Sequence, residues 1–327
     1  MESGGQRTSV LITGAGGYLG SLCLERLAAS PGAFRTIVAL DVREVPPGER
    51  LSGVDYVTED IRSPELPAIF RRYAVDTAVH LAFIVTPGKS TTRELEYSID
   101  VSGTRNVLDA CDAANVRKII VTSSGAAYGY HADNPQPLTE KDPLRGNDEF
   151  AYSHHKRLVE EMLARHREEH PEVEQLVLRV CTILGEKASN QITDLFERRF
   201  VIDLGGATAP FVFIEDEDVV GCLLKGIHEE NAGVYNVAAD GTLSMREIAG
   251  VLGKAYLSFP PGVVKGALWV LKRLGLSRYG PEGTLFLQHR PVLSNRSLKD
   301  EFGYIPRRTS EEVFHHYIQT KGVVRAG

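Results

Sequence analysis

The sequence predicts an α/β protein whose core is a doubly wound parallel Rossmann sheet, followed by a smaller, mostly helical C-terminal lobe. Short β-branched runs alternate with longer helical patterns through the first half of the 327-residue chain, an order typical of parallel strands joined by crossover helices. A glycine-rich turn follows the first of these runs. The alternation breaks down after about Arg179. We therefore divide the chain at 1–180 and 181–327, with strands of the second part returning to the main sheet.

The first part contains six predicted strands and three clear helices. The strands are β-branched and apolar runs, at Ser9–Thr13, Thr36–Leu40, Asp55–Thr58, Thr77–Leu81, Lys118–Thr122 and Gln175–Leu178. The helices repeat Leu, Val and Ile at three- and four-residue spacing, over Tyr18–Ala29, Thr92–Ala114 and Tyr152–Glu169. In the second part we predict strands at Phe211–Ile214 and Val234–Val237 and helices near Val219–His228, Ser244–Leu252, Val263–Leu274 and Glu311–Tyr317.

The composition narrows the possible partners and compartments. Apolar residues make up 43% and charged residues 24%, and the formal net charge is −6, which disfavours nucleic acid as a partner. The four cysteines form no CxxC pair, and we find no histidine cluster at metal-ligand spacing, so we predict no metal site and no disulfide framework. A reducing compartment and a polar N-terminus without signal-peptide features favour the cytoplasm.

The longest apolar stretch runs from Phe259 to Leu276 and is interrupted by Lys265, Lys272 and Arg273. Charges at this spacing exclude a membrane span. We predict an amphipathic helix instead. The apolar stripe around Trp269 either packs against the protein's own sheet, which the general behaviour of such stripes favours, or covers a nonpolar ligand.

A nucleotide-binding loop is predicted where the first strand ends. Gly14, Gly16, Gly17 and Gly20 lie in the segment TGAGGYLG, directly before a helical pattern. Glycine at such a turn tolerates positive φ, lets the backbone approach a pyrophosphate and lets the helix pack close to the strand. The amides at the helix N-terminus then bind phosphate.

The end of the second strand indicates which dinucleotide is bound. Asp41 follows Gly20 by 21 residues, which places its carboxylate beside the adenosine ribose, where it accepts both hydroxyls and repels a 2′-phosphate. Arg43 could pair with such a phosphate if the loop turned inward. We predict NAD rather than NADP.

Two Tyr-x-x-x-Lys pairs are candidates for an acid/base site. Tyr152 and Lys156 open the helix that follows the fifth strand, at the sheet edge where the cofactor is expected. Tyr317 and Lys321 lie in the terminal helix, and we assign them to a solvated helix face. We expect the Lys156 ammonium to lower the pKa of the Tyr152 phenol, because a nearby cation favours phenolate.

Ser124 ends the fifth strand at the same predicted sheet edge. Its hydroxyl could orient a substrate oxygen or simply cap backbone amides. The company of Tyr152 and Lys156 favours the first reading.

These segments together resemble the extended short-chain dehydrogenase/reductase family, in its NAD-dependent epimerase/dehydratase branch. The resemblance rests on TGAGGYLG, Asp41, the Asp60-Ile61 pair, HLA at 80–82, VSGTRNVLDAC, TSSGAAYGY, YSHHK, LVLRVCTILG, EDEDVVGCLLKGI, GVYNVAADG and NRSLKDEFGYIPRRTSEE. It covers nearly the whole chain.

The resemblance implies roles for individual residues. Tyr152 is the acid/base, Lys156 binds the nicotinamide ribose, Ser124 binds the reacting oxygen, and the Val180 backbone meets the carboxamide. Asp60 and Ile61 would lie at the adenine. The remaining implied cofactor contacts are Tyr18, Leu19, Leu81, Ala82, Phe83, Asp100 and Thr122. The resemblance also implies a homodimer formed through the helices Thr92–Ala114 and Tyr152–Glu169.

Departures from the family pattern bear on the substrate. Gly125, Ala126 and Ala127 stand where 4,6-dehydratases carry an acidic pair, which disfavours dehydration. Thr182 stands where sugar-nucleotide epimerases usually have Asn, and no Arg clearly matches the one that usually precedes the Asn295 segment. Asp100 replaces an Asn that kinks its helix, which puts that contact in doubt.

An apolar run, Phe83-Ile84-Val85, lines the predicted pocket mouth. A less polar alcohol or ketone is therefore favoured as the small-molecule substrate, with Val85, Ser124, Gly125, Ala126 and Thr182 as candidate contacts.

Three functions remain open at this point. The first is an oxidoreductase that transfers hydride at a secondary alcohol or ketone. The second is a sugar-nucleotide epimerase with tightly bound NAD. The third is an NAD-sensing binding protein without turnover, against which the intact trio of Ser124, Tyr152 and Lys156 argues.

Overall fold

A seven-stranded parallel sheet forms the centre of the computed structural model, which describes residues 8–30, 32–88, 90–188, 190–205, 209–275 and 283–322. The strands lie in the order β10-β6-β5-β4-β1-β2-β3. Their bounds are β1 Ser9–Thr13, β2 Thr36–Asp41, β3 Asp55–Thr58, β4 Thr77–His80, β5 Lys118–Ser124, β6 Glu174–Val180 and β10 Gly233–Val237. Every pairing is parallel, so all carboxyl ends meet at one edge, as predicted for a Rossmann sheet.

Helices cover both faces of this sheet, and further helices belong to the C-terminal part. They are α1 Tyr18–Ala28, α2 Leu66–Arg72, α3 Arg93–Tyr97, α4 Thr104–Ala114, α5 Ala151–Glu169, α6 Gln191–Glu197, α7 Asp216–His228, α8 Met245–Val251, α9 Pro261–Arg273, α10 Gly283–Gln288, α11 Arg296–Asp300 and α12 Ser310–Lys321. One face buries apolar side chains of α1 and α7, and the other buries those of α2, α4 and α5. The sheet is therefore shielded from water on both sides, as parallel sheets require.

The C-terminal part adds two small parallel sheets and its own core. The first pairs β7 (Thr182–Leu184) with β9 (Phe213–Glu215), and the second pairs β8 (Phe200–Leu204) with β11 (Ala255–Phe259). β7, β8 and β11 were not predicted; they lie in the part of the chain where the regular alternation of strand and helix patterns breaks down. β10 lies beside β6 in the main sheet, so the chain does return to it.

The predicted helix Thr92–Ala114 is a single rod with a break in its hydrogen-bonding pattern. Residues Ser98–Gly103 form a π-helical segment between α3 and α4. Asp100 lies in this segment and is buried. Its Oδ1 accepts a 2.9 Å hydrogen bond from the Ile84 amide, so the widened turn holds the loop after β4. The π-helical segment is therefore present with Asp in place of Asn, while the contact of Asp100 with the cofactor stays a prediction.

Two predictions about apolar residues are wrong. Tyr317 is 1% exposed and belongs to the C-terminal core with Phe314, because α12 packs its apolar face on β9. The predicted core position of Trp269 fails in the opposite sense. Trp269 is 55% exposed, since α9 lies at the surface with no buried residue.

In the part of the chain that the structure describes, every helix falls short of the length and hydropathy needed to cross a membrane.

Candidate active site

The glycine loop brings β1 against the segment that follows β4. Gly14 has φ +69°, and a Cβ there would lie 2.8 Å from the Cα and N atoms of Ala82. A Cβ on Gly20 would lie 2.2 Å from the Gly14 carbonyl oxygen. Glycine is therefore required at Gly14 by backbone conformation and by close approach, and at Gly20 by close approach alone. The first amides of α1, at Tyr18 and Leu19, cannot be bonded within the helix and form an anion-binding end.

Asp41 closes one side of this loop. Its Oδ2 accepts a 3.0 Å hydrogen bond from the Gly16 amide, and its Oδ1 accepts from the amide and Nε of Arg43. The carboxylate is 10% exposed and the Arg43 side chain is 66% exposed. A cleft between α1 and the β2–β3 strands is lined by Gly16, Asp41 and Arg43. The predicted ribose-binding acid thus lies beside the loop that it was expected to complement.

The segment after β3 is held in place by contacts with the π-helical segment and α4. Asn106 Nδ2 donates to the carbonyl of Ile61 at 2.6 Å. Ile61 is 4% exposed, and a Cβ on Gly103 would lie 2.5 Å from its Cδ1. Asp60 pairs with Arg62, whose hydrogen bond lowers the pKa of the Asp60 carboxyl. The side chain of Asp60 is therefore already engaged as an anion.

Leu81, Ala82 and Phe83 form the wall opposite the glycine loop, directly after β4. The Phe83 amide donates to the Leu81 carbonyl at 3.0 Å, which turns the chain sharply. Val85, two residues on, is 54% exposed. The predicted apolar mouth is thus a turn with an exposed valine at its rim.

Tyr152 and Ser124 meet at the carboxyl edge of the sheet. Tyr152 lies in the first turn of α5, and Ser124 is the last residue of β5. Burial raises the pKa of Tyr152 to about 12, against a hydrogen bond with Ser124 that lowers it. Ser124 Oγ also accepts a 3.1 Å hydrogen bond from the Ala126 amide. The serine therefore caps the backbone and contacts the phenol, while its contact with a substrate oxygen stays a prediction.

Lys156 is buried and lies toward β5 rather than on the phenol. Its Nζ donates to the Thr122 carbonyl at 2.9 Å, and it lies 3.3 Å from the centroid of the Phe83 ring but 5.9 Å from that of Tyr152. Burial lowers the pKa of Lys156 to about 8. The predicted lowering of the Tyr152 pKa by Lys156 is absent here, because burial of the phenol dominates and the ammonium is held by Thr122.

The side chains of His80, His155 and Asp100 connect the site to neighbouring strands and helices. None of these contacts was predicted. His155 Nδ1 lies 3.1 Å from Asp100 Oδ2, and both side chains are buried. His80 bridges Thr13 Oγ1 at 2.8 Å and Thr104 Oγ1 at 3.0 Å. Burial lowers the pKa of His80 to about 3, so it is a neutral link between β1, β4 and α4.

The ends of β5 and β6 lie in register at this edge. Ser124 pairs with Val180, and Thr122 pairs with Leu178. Thr182 begins β7 just beyond Val180 and is half-buried. The predicted carboxamide position, Val180, therefore lies beside Ser124 on the neighbouring strand, and the predicted substrate position Thr182 follows two residues later, in β7.

Gly125 and Ala126 continue from Ser124 as a short 3-10 turn packed on the C-terminal part. A Cβ on Gly125 would lie 3.2 Å from Leu293 Cδ1. Ala126 is 4% exposed, and its carbonyl accepts a 2.7 Å hydrogen bond from Ser153 Oγ. Substrate contact at these two positions stays a prediction, and the amide and carbonyl of Ala126 already have protein partners.

Tyr18 fastens the loop to the C-terminal part. Its hydroxyl donates to Asp216 Oδ2 at 2.5 Å, and burial together with this bond raises the pKa of Tyr18. Asp216 begins α7. Of the predicted cofactor contacts, Tyr18 can thus offer its amide while its hydroxyl is used in structure.

A buried ion pair joins β6 to α5. Arg179 on β6 and Glu160 on α5 meet at 2.7 Å, and their side chains are 7% and 4% exposed. Ser123 also donates to Glu160, and Arg179 donates to the Tyr128 hydroxyl at 2.8 Å. Removing one partner of a buried ion pair leaves the other charge unpaired and strongly destabilises the fold. The network therefore fixes α5, and with it Tyr152, on the sheet.

A second cavity in the C-terminal part contains two arginines that were not foreseen. Arg290 and Arg246 line it with Asp203 and Tyr256. Burial lowers the pKa of Arg290 to about 10, and its Nε has no hydrogen-bond partner among the described residues.

This cavity is connected to the catalytic edge through aromatic rings. The Phe286 ring lies 5.7 Å from the Tyr130 ring and 5.8 Å from the guanidinium carbon of Arg290. Tyr130 in turn is close enough to Tyr152 to interact with it electrostatically.

Comparison with known proteins decides the family. The model of the NAD-dependent epimerase/dehydratase family matches residues 10–238. The chain belongs to this family. A Mycobacterium tuberculosis protein of unassigned activity is 24% identical over 323 residues, which cover 96% of this chain and 84% of that protein.

Two solved structures share the fold across nearly the whole chain. UDP-glucose 4-epimerase of Thermotoga maritima, solved with UDP-glucose, has a TM-score of 0.74 at 17% identity, covering 96% of this chain and 98% of that one. The Thermus thermophilus UDP-glucose 4-epimerase, solved with NAD, has a TM-score of 0.73 at 21% identity, covering 96% and 99%. The predicted Rossmann fold and family are thereby confirmed.

The residues of this site fit the dinucleotide after which the family is named. A Cβ at Gly14 would clash with the Leu81–Ala82 backbone, so the turn after β1 packs directly on the loop after β4, and the N-terminal end of α1 follows this turn. Asp41 ends β2 and Lys156 contacts β5 at Thr122, so both lie toward the carboxyl edge of the same sheet. Family membership makes the chain an NAD-dependent enzyme of the epimerase/dehydratase class.

Proposed function

We propose that this protein transfers a hydride at a secondary alcohol or ketone, with Tyr152 as the acid/base. The observation that carries the proposal is the contact of Tyr152 with Ser124 at the carboxyl edge of the sheet, next to buried Lys156. A proton donor and an orienting hydroxyl are the two groups that a reacting C–O oxygen needs. Both groups lie at the carboxyl edge of the parallel sheet, which is the edge where Rossmann folds bind a dinucleotide.

The proton is handled by the phenol. When bound, NAD⁺ takes up the hydride and NADH returns it. With a pKa of about 12, Tyr152 is a neutral phenol near pH 7 and is ready to donate its proton to a ketone oxygen. In the opposite direction it must first lose that proton, and a cation brought near the phenol favours this loss. Lys156 supplies such a cation when its ammonium turns from Thr122 toward Tyr152.

Named residues would hold the cofactor. We assign the pyrophosphate to the loop of Gly14, Gly16, Gly17 and Gly20, and the adenosine ribose to Asp41. The acidic Asp41 favours NAD over NADP, because its carboxylate would repel a 2′-phosphate. The further assignments follow the family resemblance, and they are Asp60, Ile61, Leu81, Ala82, Phe83, Thr122, Lys156 and Val180. Asp100 acts one step away, by holding the Ile84 loop.

A sugar-nucleotide epimerase is a second candidate, which specific observations favour. Arg290 and Arg246 at the C-terminal cavity offer the guanidinium groups that a diphosphate prefers, and Arg290 Nε is buried without a partner among the described residues. Both solved structures named above are UDP-glucose 4-epimerases. In such a reaction hydride leaves and returns in one turnover, with no net change in the cofactor.

We further propose that the protein acts as a homodimer in the cytoplasm. The homodimer would form through the helices Thr92–Ala114 and Tyr152–Glu169. Leu95 and Tyr97 in the first of these are 39% and 44% exposed, and they give it an apolar surface that a second copy would cover. All four cysteines are free thiols, as is usual in reducing compartments.

A substrate panel distinguishes the two chemistries. Purified protein is incubated with NAD⁺ or NADH and with sterols, small ketones and UDP-sugars, while NADH absorbance and sugar configuration are followed. Turnover-linked absorbance change supports the oxidoreductase, and inversion of a UDP-sugar without absorbance change supports the epimerase. Binding of NAD with neither result would contradict hydride transfer as the function.

A further inference from the structure

Three metal-ligating side chains meet at the end of α5 that is remote from the candidate active site. His166 Nε2 lies 3.0 Å from Asp112 Oδ1, and His170 Nε2 lies 3.7 Å from Asp112 Oδ2. The two imidazole rings are stacked, with centroids 4.7 Å apart. The Nε2 atoms of two histidines therefore face one carboxylate.

Outer contacts orient both histidines. His170 Nδ1 lies 3.3 Å from Glu172 Oε1, and His166 Nδ1 lies 2.9 Å from the amide nitrogen of Gln175. Gln175 Oε1 is buried and has no partner among the described residues. A half-turn of this amide would let His166 Nδ1–H donate to Oε1 and leave Nε2 unprotonated. Partners on the far nitrogen are what histidine ligands of metals use to fix their tautomer.

We propose that Asp112, His166 and His170 bind one Zn²⁺-type transition-metal ion, with water as the fourth ligand. Two imidazoles and a carboxylate suit such an ion, whereas Mg²⁺ and Ca²⁺ prefer oxygen ligands alone. The three ligand atoms lie within 4.8 Å of one another. A tetrahedral zinc site needs separations of about 3.4 Å, given metal–ligand bonds of about 2.0–2.2 Å. Small side-chain rotations close this difference.

The site is a clamp rather than part of the reaction. Asp112 belongs to α4, while His166 and His170 end α5. Counted along α5 from Tyr152, they lie about 20–27 Å from the catalytic end at a rise of 1.5 Å per residue. A bound ion would join the two helices. His166 and His170 stand four residues apart, a spacing that histidine ligands on a helix use, so the prediction of no histidines at metal-ligand spacing was wrong. The other proposed ligand, Asp112, comes from another helix.

Zinc titration of the chelator-treated full chain tests the proposal. Calorimetry with ZnCl₂ alone is expected to give one equivalent bound, and Co²⁺ in its place is expected to give the visible absorption of a tetrahedral site. His170→Ala should weaken zinc binding at least tenfold. Zinc should raise the melting temperature of the wild type but not of this variant. Because His170 is 36% exposed, this change should leave the fold intact, which the metal-free melting temperature checks.

His154→Ala is the matched control. His154 lies on the same helix and pairs with Asp148 at 2.8 Å, but its partner carboxylate is not among the proposed ligands. This variant should bind zinc as the wild type does. Failure of the wild type to bind zinc, or equal binding by His170→Ala, would overturn the proposal and show a hydrogen-bonded His-Asp-His cluster instead.

Discussion

Lys156 donates a 2.9 Å hydrogen bond from Nζ to the Thr122 carbonyl, although Tyr152 lies only one turn before it on α5. The ammonium is thereby held near the end of β5, over the face of the Phe83 ring, and the Tyr152 phenol stays protonated. The proposed alcohol oxidation needs a proton acceptor, so it requires this arrangement to change when cofactor and substrate bind.

The burial of Lys156 predicts a pH-dependent stability difference. Its pKa is about 8 in the folded chain, against about 10.4 for an exposed lysine. Below pH 8 the ammonium is charged in both states and its burial cost is fully present. Between these pKa values the unfolded chain binds more protons, so stability rises with pH.

Lys156→Met removes that cost. At pH 7 the variant should be more stable than the wild type by on the order of 2–3 kcal/mol, and the advantage should shrink from pH 8 to pH 10. Denaturant unfolding at each pH measures it. Lys187→Met, at a side chain 62% exposed, is the control without such a trend. An advantage that stays constant across this range would contradict the burial argument.

Gly14→Ala should impair both folding and cofactor binding. The new Cβ would lie 2.8 Å from the Ala82 backbone, at φ +69°. The backbone strain alone costs about 1–3 kcal/mol. Thermal unfolding and NAD titration measure the two effects. Gly48→Ala is the matched control, because nothing lies within 4 Å of its Cβ position. Equal NAD affinity in Gly14→Ala and the wild type would rule out cofactor binding at the glycine loop.

Asp41→Ser should relax the preference between dinucleotides. Loss of the carboxylate removes the repulsion of a 2′-phosphate and releases the Arg43 guanidinium, whose Nε now lies 3.1 Å from Asp41. The ratio of kcat/KM for NAD over NADP should fall about tenfold, or 1.4 kcal/mol. Asp55→Ser, at an exposed position of the neighbouring strand, should leave the ratio unchanged. An unaltered ratio in Asp41→Ser would show that this acid does not select the cofactor.

Asp100→Asn should shift the pH dependence of turnover. The Asp100 charge raises the pKa of Tyr152, so its removal should move the limb that reports phenol ionisation to lower pH. The amide can still accept from Ile84, which preserves the loop. A pH profile of kcat measures the shift. The exposed carboxylate of Asp148 gives the control Asp148→Asn. A limb that moves to higher pH, or not at all, would contradict the electrostatic role.

Much of the fold could be predicted because its signals are local. The bounds of β1 and β3 were predicted to the residue, and glycine spacing indicated the loop between β1 and α1. Contacts that close between distant segments could not be predicted. Asp100 meets His155 across 55 positions, and Arg290 meets the Ala209 carbonyl across 81.

Side-chain exposure was harder to predict than secondary structure. The helical period identified α9 and α12, but it does not show which of the two helices packs its apolar face against a sheet. Trp269 was therefore assigned to the core and Tyr317 to solvent, and both assignments were wrong. The pKa of Tyr152 shows the same limit, because spacing places Lys156 near the phenol but cannot show that Thr122 holds it.

The role of Tyr152 is tested most directly by single-turnover hydride transfer in Tyr152→Phe, once a substrate has been found. We predict a rate lowered about 10²–10⁴-fold, the usual share of acid/base catalysis, with NAD affinity unchanged because the ring is kept. Tyr317→Phe, in the other Tyr-x-x-x-Lys pair, should react at the wild-type rate. A Tyr152→Phe variant that transfers hydride as fast as the wild type would contradict the account.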